Sequence, residues 1–409
     1  MIRSPSSTAL WPPLVVLAVV VLLPVGRASE LPIAIGALAA IVLFAQRRID
    51  WRDEAIRLPL ILFACYALPA LISGASPVAP ARTWSTVASI VRFLPFAVFA
   101  VWALRDARPW KAIVLTVAAV VSLWVIDSYV QMITGYSLAG AAEAERLSGI
   151  FGAGNLKLGP VLAVLSPFVL LAARDALGWR GLTVAFVFLA VPILLAGSRA
   201  AWLMYALAAA VVAWRSARNK RTFALALGVA VALGGIAGGI ALRESPGFDA
   251  RIQRSLLALG GTESAVDAAS AGRLSIWRTA FAMWKAHPVT GVGVRGFRYA
   301  YPEYAAPQDH FVDTASDTGA SHAHQIVLEV LSETGVVGLL FWLAGAVFAV
   351  RAWLRADRFA RARAFAPALA LVAMCFPPNT HLAFYSAWWG LLFWWLLALY
   401  SAALAADDA

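Results

Sequence analysis

Charge is what this sequence has least of. Only 13% of its 409 residues are charged and 62% are hydrophobic, whereas an ordinary soluble domain carries about 25% charged residues. The deficit recurs along almost the whole chain, which excludes a soluble domain with a single anchor and leaves a polytopic membrane protein. Cysteine is scarcer still. Cys65 and Cys375 each fall inside an apolar run, and two separated thiols exclude a disulfide framework. No G-x-S-x-G elbow, Walker string, H-E-x-x-H pair or D-x-D pair occurs, so the commonest local signatures of serine hydrolases, P-loop proteins and zinc proteases are missing.

The formal charge of +11 does not point to nucleic acid, because the basic residues are spread in short clusters between apolar runs. Those clusters are Arg47, Arg48, Arg52 and Arg57; Arg105, Arg108 and Lys111; Arg215, Arg218, Lys220 and Arg221; and Arg351, Arg355, Arg358, Arg361 and Arg363. Alternate connections carry them, as the positive-inside rule requires of cytoplasmic loops. A spanning helix needs about 20 mostly apolar residues. The apolar runs lie near 11–26, 31–46, 58–73, 84–104, 111–133, 158–173, 181–197, 200–214, 222–242, 335–353, 365–380 and 384–404. They predict an all-α polytopic membrane protein with about 12 transmembrane helices and both termini in the cytoplasm. Arg3 and the run from Leu14 to Val25 resemble a signal peptide, but no A-x-A site follows in Gly26-Arg-Ala-Ser-Glu30, so an uncleaved first span is expected. Three units follow: spans one to nine over 1–242, one large outer loop over 243–322, and the last three spans with an interfacial helix start over 323–409.

That topology gathers the unusual residues on one side. The connection 134–157 holds Glu143, Glu145, Arg146 and Asn155, and the turn Gly197-Ser198-Arg199 precedes a span. In the large loop, Arg273 to His287 has helical spacing with Leu274, Trp277, Phe281 and Trp284 on one stripe, as expected of a helix near the membrane interface. Arg146, Arg199, Arg273 and Arg295 break the positive-inside pattern, and arginine suits planar, bidentate recognition of phosphate. Arg278 and Arg298 read as solvated or snorkelling side chains. Gly291-Val-Gly293-Val-Arg-Gly296 fits a dinucleotide fingerprint in letters only, since no strand precedes it. It reads as a turn able to lend N–H groups to an anion.

The segment Ser321-His322-Ala-His324-Gln325 runs into Glu329, Glu333, Gly335 and Gly338. Imidazole is the commonest general base near neutral pH. If the backbone is already helical at His322 or His324, residues two apart point to different sides, and Ser321 would be the N-cap. Glu329 and Glu333 share a face and would bind an arginine or solvate the helix start. Asp309, His310, Asp313, Asp317, His322 and His324 offer metal-ligand donors, but their spacing matches no signature. No metal and no cofactor is expected.

Four pieces together resemble the O-antigen ligase and polymerase superfamily of polytopic glycosyltransferases. They are Arg146-Leu-Ser-Gly-Ile-Phe-Gly152 with Asn155; Ser198-Arg199-Ala-Ala; Gly272-Arg273-Leu-Ser-Ile-Trp277 running on to Gly291 and Gly293; and His324-Gln-Ile-Val-Leu-Glu-Val-Leu-Ser-Glu333-Thr-Gly335-Val-Val-Gly338. Gln325 stands where that superfamily usually has Asn, and the Pro often found before the first Asn is missing ahead of Asn155. The resemblance spans roughly residues 140–345 and implies a GT-C-like fold in the inner membrane of a Gram-negative bacterium, with the large loop periplasmic and mostly helical. It also implies a metal-independent, inverting transfer of O-antigen polysaccharide from undecaprenyl pyrophosphate to the lipid A–core oligosaccharide. In that scheme His324 is the base and His322 the lesser candidate. Arg146, Arg199, Arg273 and Arg295 hold the donor pyrophosphate, and Asn155, Gln325, Glu329, Glu333, Gly291 and Gly293 support the site. Relatives that modify proteins often carry a further C-terminal soluble region, and none follows the last apolar run here, so a ligase is expected. A polymerase of the same superfamily is the nearer alternative and a lipid-linked glycan transporter the more distant one.

Overall fold

The computed structural model describes residues 10–106, 110–141, 146–244, 249–250, 252–253, 256–380 and 382–407. Arg3, Arg108, Glu143 and Glu145 lie outside the described residues. Every apolar run of the sequence falls on a helix. The first half holds α1 (Trp11–Val21), α2 (Glu30–Ala45), α3 (Glu54–Ser73), α4 (Pro80–Ile90), α5 (Phe93–Ala103) and α6 (Trp110–Thr134). Then come α7 (Leu158–Leu195), α8 (Arg199–Ser216) and α9 (Lys220–Glu244). The large loop folds into α10 (Glu263–Ser270), α11 (Arg273–Ala286) and α12 (Phe297–Tyr304), and the chain ends with α13 (Ile326–Arg355), α14 (Arg358–Met374) and α15 (Ala387–Ala405).

Six stretches among the described residues are long and apolar enough to cross a membrane: Glu54–Ala75, Pro80–Ala103, Trp110–Thr134, Leu158–Leu195, Ile326–Arg355 and Ala387–Ala405. Trp11–Val21 and Glu30–Ala45 are apolar but shorter. Helix α7 has 38 residues, which laid straight would extend about 57 Å at 1.5 Å per residue. It is not straight. Gly178 sits at φ 60°, ψ −139°, and a Cβ on Gly159 would lie 3.0 Å from the Cβ of Ala196. The start and end of α7 therefore touch, and the chain reverses at Gly178. The two limbs correspond to the separate runs 158–173 and 181–197.

Helix α15 is the centre of the bundle. Trp394 and Trp395 are fully buried, Phe93 stacks on Trp394, and the Trp395 indole N–H donates to the Val16 carbonyl at 2.8 Å. An indole buried in an apolar core needs such a partner. The basic residues gather at one end: Arg105 pairs with Asp407 at 2.8 Å and with Asp53 at 3.4 Å, Arg48 covers Trp102, and Arg215 covers Phe365. Helices α8 and α13 run from Arg199 and from Gln325 toward that end, so the outer loop and the histidines lie at the other.

What joins the outer loop to the bundle is a break in α13. Gly335 has φ 65° and ψ −163°, which separates a short first part from a second part long enough to span by itself. In an unbroken helix the Ser332 and Glu333 carbonyls would accept from the amides of residues 336 and 337. Here they accept from Val292 N–H at 2.8 Å and Gly293 N–H at 3.0 Å, while Val336 and Val337 donate to the Pro288 and Val289 carbonyls at 2.9 and 3.3 Å. The inserted segment thus replaces the partners the break removes, the condition under which irregular backbone is tolerated inside a membrane protein. Its other edge is tied to α3 and α4: Val78 N–H donates to the Val292 carbonyl, Thr83 Oγ1–H to the Val294 carbonyl, and Val294 N–H to Ser73 Oγ. Gly291 and Gly293 are therefore packing residues. A Cβ on Gly291 would run into the Glu333–Thr334 backbone, and one on Gly293 into Pro77 and Thr83.

A second, smaller core lies in the outer loop, built from Ile276, Ala280, Met283, Val292, Phe297, Ala300, Tyr301, Ala320 and Ala323. In α11 the buried stripe is Ile276, Thr279, Ala280 and Met283. The aromatic stripe picked out in the sequence faces away from it, and Phe281 is exposed.

At Gly335 an added methyl would meet the Val289 carbonyl, whereas at Gly178 nothing lies within 4 Å. Gly178→Ala is expected to cost only the penalty of placing a Cβ in a glycine-favouring backbone conformation, roughly 1–3 kcal/mol. Gly335→Ala is expected to cost at least about 3 kcal/mol, because the displaced segment forfeits backbone hydrogen bonds worth about 0.5–1.5 kcal/mol each. Thermal unfolding of the two variants in detergent measures the difference.

Candidate functional site

His324 and Gln325 show how the site is built. The helix begins at Ile326, not at either histidine, and its N-cap is Gln325, whose Oε1 accepts from Leu328 N–H at 2.6 Å. Ser321 is not the cap; its hydroxyl lies 2.9 Å from His322 Nδ1. His324 adopts φ 53°, an uncommon conformation for a residue with a Cβ. This non-helical turn reverses the expectation that the histidines diverge: their ring centroids are 3.9 Å apart.

His324 Nδ1 lies 2.6 Å from the Thr380 carbonyl oxygen. A carbonyl can only accept, so Nδ1 carries the proton and Nε2 carries the lone pair. Thr380 is available because α14 ends at Met374. The sequence expectation of a span over 365–380 placed this residue inside a helix. Pro377-Pro378 is the signal that the helix stops earlier, and residues 375–380 and 382–386 lie in no helix or strand. Burial pushes the His324 imidazole below its ordinary range and the positive charge of Arg273 pushes the same way, with the Thr380 bond opposing.

Arg273 opens α11 behind Gly272, which is left-handed at φ 77°. Burial lowers its guanidinium to about 10, and the charge of Arg199 contributes. Arg199 opens α8, where Ser198 is the N-cap and its hydroxyl accepts from Ala201 N–H at 3.3 Å. Arg199, Arg273 and His324 thus form one electrostatic group at the end of the bundle away from the basic clusters. Two desolvated like charges in proximity disfavour each other, and an anion between them would relieve both.

Arg146 lies on the same side but is not shown in this group. Leu147 N–H donates to the Leu195 carbonyl at 3.3 Å, which lays this stretch along the end of α7 just before the Ser198 turn. The buried Gln131 orders it, its Oε1 accepting from Ser148 and Gly149 N–H at 3.1 and 2.7 Å. Asn155 is occupied locally, donating to the Phe151 carbonyl and accepting from Lys157 N–H.

Arg295 is elsewhere. It is left-handed at φ 60° and lies within electrostatic reach of Glu329 and Glu333, beneath the inserted segment. Both glutamates are fully buried, so neither solvates the helix start. Gly291 and Gly293 sit in the same region, and the N–H groups of Val292 and Gly293 are consumed by the helix break. That removes the expectation that this turn cradles an anion.

Among the described residues no three His, Cys, Asp or Glu side chains converge as metal ligands. Asp309 instead accepts from the Tyr301 hydroxyl and Phe311 N–H, and Asp313 from Ser316 and Ala315. Three features of the site were missed in the sequence: Gln131, Thr380, and the His310–Phe311 pair packed against Gly272. Their rings are 4.0 Å apart, and a Cβ on Gly272 would lie 3.0 Å from His310.

These features define an integral-membrane protein with two arginines and a neutral histidine at one end of a helical bundle. Residues 184–343 match the family described as O-antigen ligase. The match takes in Arg199, Arg273, Arg295, both histidines and both glutamates, while Arg146 and Asn155 precede it. No curated protein matches the chain.

The link between Arg273 and His324 is measurable. Arg273→Ala removes a positive neighbour and is expected to raise the His324 titration toward the ordinary imidazole value of about 6.5. Lys285→Ala, on the exposed face of the same helix, should leave it unchanged. NMR of histidine-labelled protein in detergent reads both.

Proposed function

We propose that this protein is an O-antigen ligase: it transfers O-antigen polysaccharide from undecaprenyl pyrophosphate to a hydroxyl of the lipid A–core oligosaccharide. The observation that carries the proposal is the group Arg199, Arg273 and His324, with the His324 lone pair fixed on Nε2. The basic clusters at the opposite end of the bundle support a periplasmic site in the inner membrane, since cytoplasmic loops collect Lys and Arg.

In the proposed reaction His324 Nε2 removes the proton from the acceptor hydroxyl as its oxygen attacks the anomeric carbon of the donor sugar. The bond from that carbon to the pyrophosphate oxygen breaks, and undecaprenyl pyrophosphate leaves with the electron pair. Attack opposite the leaving group inverts the anomeric centre. Arg199 and Arg273 stabilise the charge that grows on the leaving group, and their preorganisation in a partly desolvated site makes such stabilisation effective. A positioned base contributes roughly 10²–10⁴-fold, so electrostatics and alignment supply most of the rest. Arg146 is assigned to the outer part of the donor site, and His322, whose ring lies tilted against that of His324, to orienting it.

The lipopolysaccharide banding pattern of a deletion strain tests this reading. Loss of the protein should leave free core alongside intact lipid-linked polymer, and His324→Ala should reproduce that pattern at a normal level in the membrane. Core bearing a single repeat would instead indicate a polymerase, and a near-normal ladder in His324→Ala would remove His324 as the base.

The pH profile follows from the same assignment. A base must be unprotonated, so kcat/KM, which reports the free enzyme, should fall as pH drops through the His324 pKa. Because burial and Arg273 lower that pKa, the acid limb should lie below about 6.5, as measured by transfer in detergent.

A further inference from the structure

Glu329 has no part in the transfer chemistry, yet it is a fully buried carboxylate. Its Oε1 accepts a hydrogen bond from Phe384 N–H at 2.8 Å. Phe384 belongs to the irregular segment 375–386, which carries Thr380 and hence the acceptor for His324 Nδ1. The same residue is held from the other side, where the Tyr66 hydroxyl donates to the Phe384 carbonyl at 3.0 Å and the Tyr385 hydroxyl donates to the Tyr66 carbonyl at 3.2 Å. At the near end of the segment the Asn379 amide donates to the Met374 carbonyl at 2.7 Å.

These contacts close a ring. His324 leads into Gln325, and Glu329 lies one turn into the helix, its N–H donating to the Gln325 carbonyl at 2.9 Å. From Glu329 the path crosses to Phe384, returns along the segment to Thr380, and closes on His324. Both partners of the His324–Thr380 bond therefore sit on pieces of chain that Glu329 joins. No local element fixes Thr380: it lies between α14 and α15, in no helix or strand.

We propose that Glu329 is a positioning residue for His324, anchoring segment 375–386 so that the Thr380 carbonyl meets Nδ1 and the lone pair stays on Nε2. Only the kinetic arm of its test rests on the transferase reading. The charged and titratable groups that act on His324 among the described residues are His322, whose ring lies against it, and Arg273 from α11. The charged groups that act on Glu329 are instead Glu333 and Arg295.

The test compares Glu329→Gln, which keeps an oxygen acceptor for Phe384 N–H, with Glu329→Met, which keeps the length and removes it. Histidine-labelled protein in detergent is read by NMR, with His324 assigned by its loss in His324→Ala. Wild type and Glu329→Gln should both show the Nδ1–H tautomer and a titration below the ordinary imidazole value. Glu329→Met should show mixed tautomers and a titration moved upward. In transfer assays it should lose roughly 10–100-fold in kcat, the scale of a small misplacement of a reacting group, with KM for the lipid-linked donor within about twofold.

A folded Glu329→Met protein with unchanged His324 tautomer and titration would overturn the proposal. So would a Glu329→Gln protein that behaves like Glu329→Met. Should Glu329→Met fail to fold, Tyr66→Phe loosens the second tie at Phe384 and is expected to move His324 in the same direction by less; an unmoved His324 there counts against the proposal. Wild-type protein with the expected NMR pattern but no transfer would defeat the transferase reading and leave the positioning role supported.

Discussion

The exchange of backbone partners at Gly335 is the constraint on which the rest of the molecule depends. A break in a helix at membrane depth exposes two carbonyls and two amides that neither lipid nor side chain can satisfy. The segment Pro288–Gly293 supplies all four partners at once. Because that segment continues directly from α11, the same bonds that heal the helix also dock the outer loop, and docking brings Arg273 within electrostatic reach of His324. The glycines follow from this contact. Gly335 supplies the conformation, and Gly291 and Gly293 allow the approach.

With the loop docked, the site is dominated by positive charge without a built-in counterion for Arg273 among the groups that act on it. The cost of crowding Arg273 and Arg199 falls on the empty protein, and binding of a pyrophosphate would remove it. The same field favours the neutral form of His324, so on the proposed reading one arrangement would both attract the leaving group and preserve the base. Neutrality alone would not suffice, since a neutral imidazole has two tautomers. The Thr380 carbonyl selects between them.

Much of the helical architecture could be read from the sequence because lipid imposes a local rule, a run of apolar side chains for each span. The same holds for Arg199, Arg273 and His324, each found beside a glycine, a span or a helix start. What could not be read depends on contacts distant in sequence. The Thr380 acceptor lies 56 residues from His324 and the Phe384 donor 55 from Glu329, and no periodicity reports such pairs. Arg295 has the same composition and the same side of the membrane as Arg273, but its left-handed backbone and its neighbours, Glu329 and Glu333, separate it from the site. The Pro377-Pro378 stop was legible and was outweighed by the hydrophobicity around it.

The burial of Glu329, Glu333 and Arg295 is the part of the fold that stability alone explains least. Replacing a buried ionic group with apolar side chains of similar volume is often neutral or stabilising, because desolvation offsets the attraction. Glu329 lies in the first turn of α13 and its Oε1 accepts from Phe384 N–H, so part of that cost is offset by the hydrogen bond. The remainder secures specificity of register. An apolar side chain at Glu329 could pack against segment 375–386 in several ways, whereas a carboxylate oxygen accepts from one N–H at one distance. A segment with no helix or strand of its own is placed by such single ties, the Glu329, Tyr66 and Asn379 contacts among them, and a displacement of one residue would take the Thr380 carbonyl away from His324. The buried carboxyl group thus exchanges some stability for a single placement of the one carbonyl that decides which imidazole nitrogen is free.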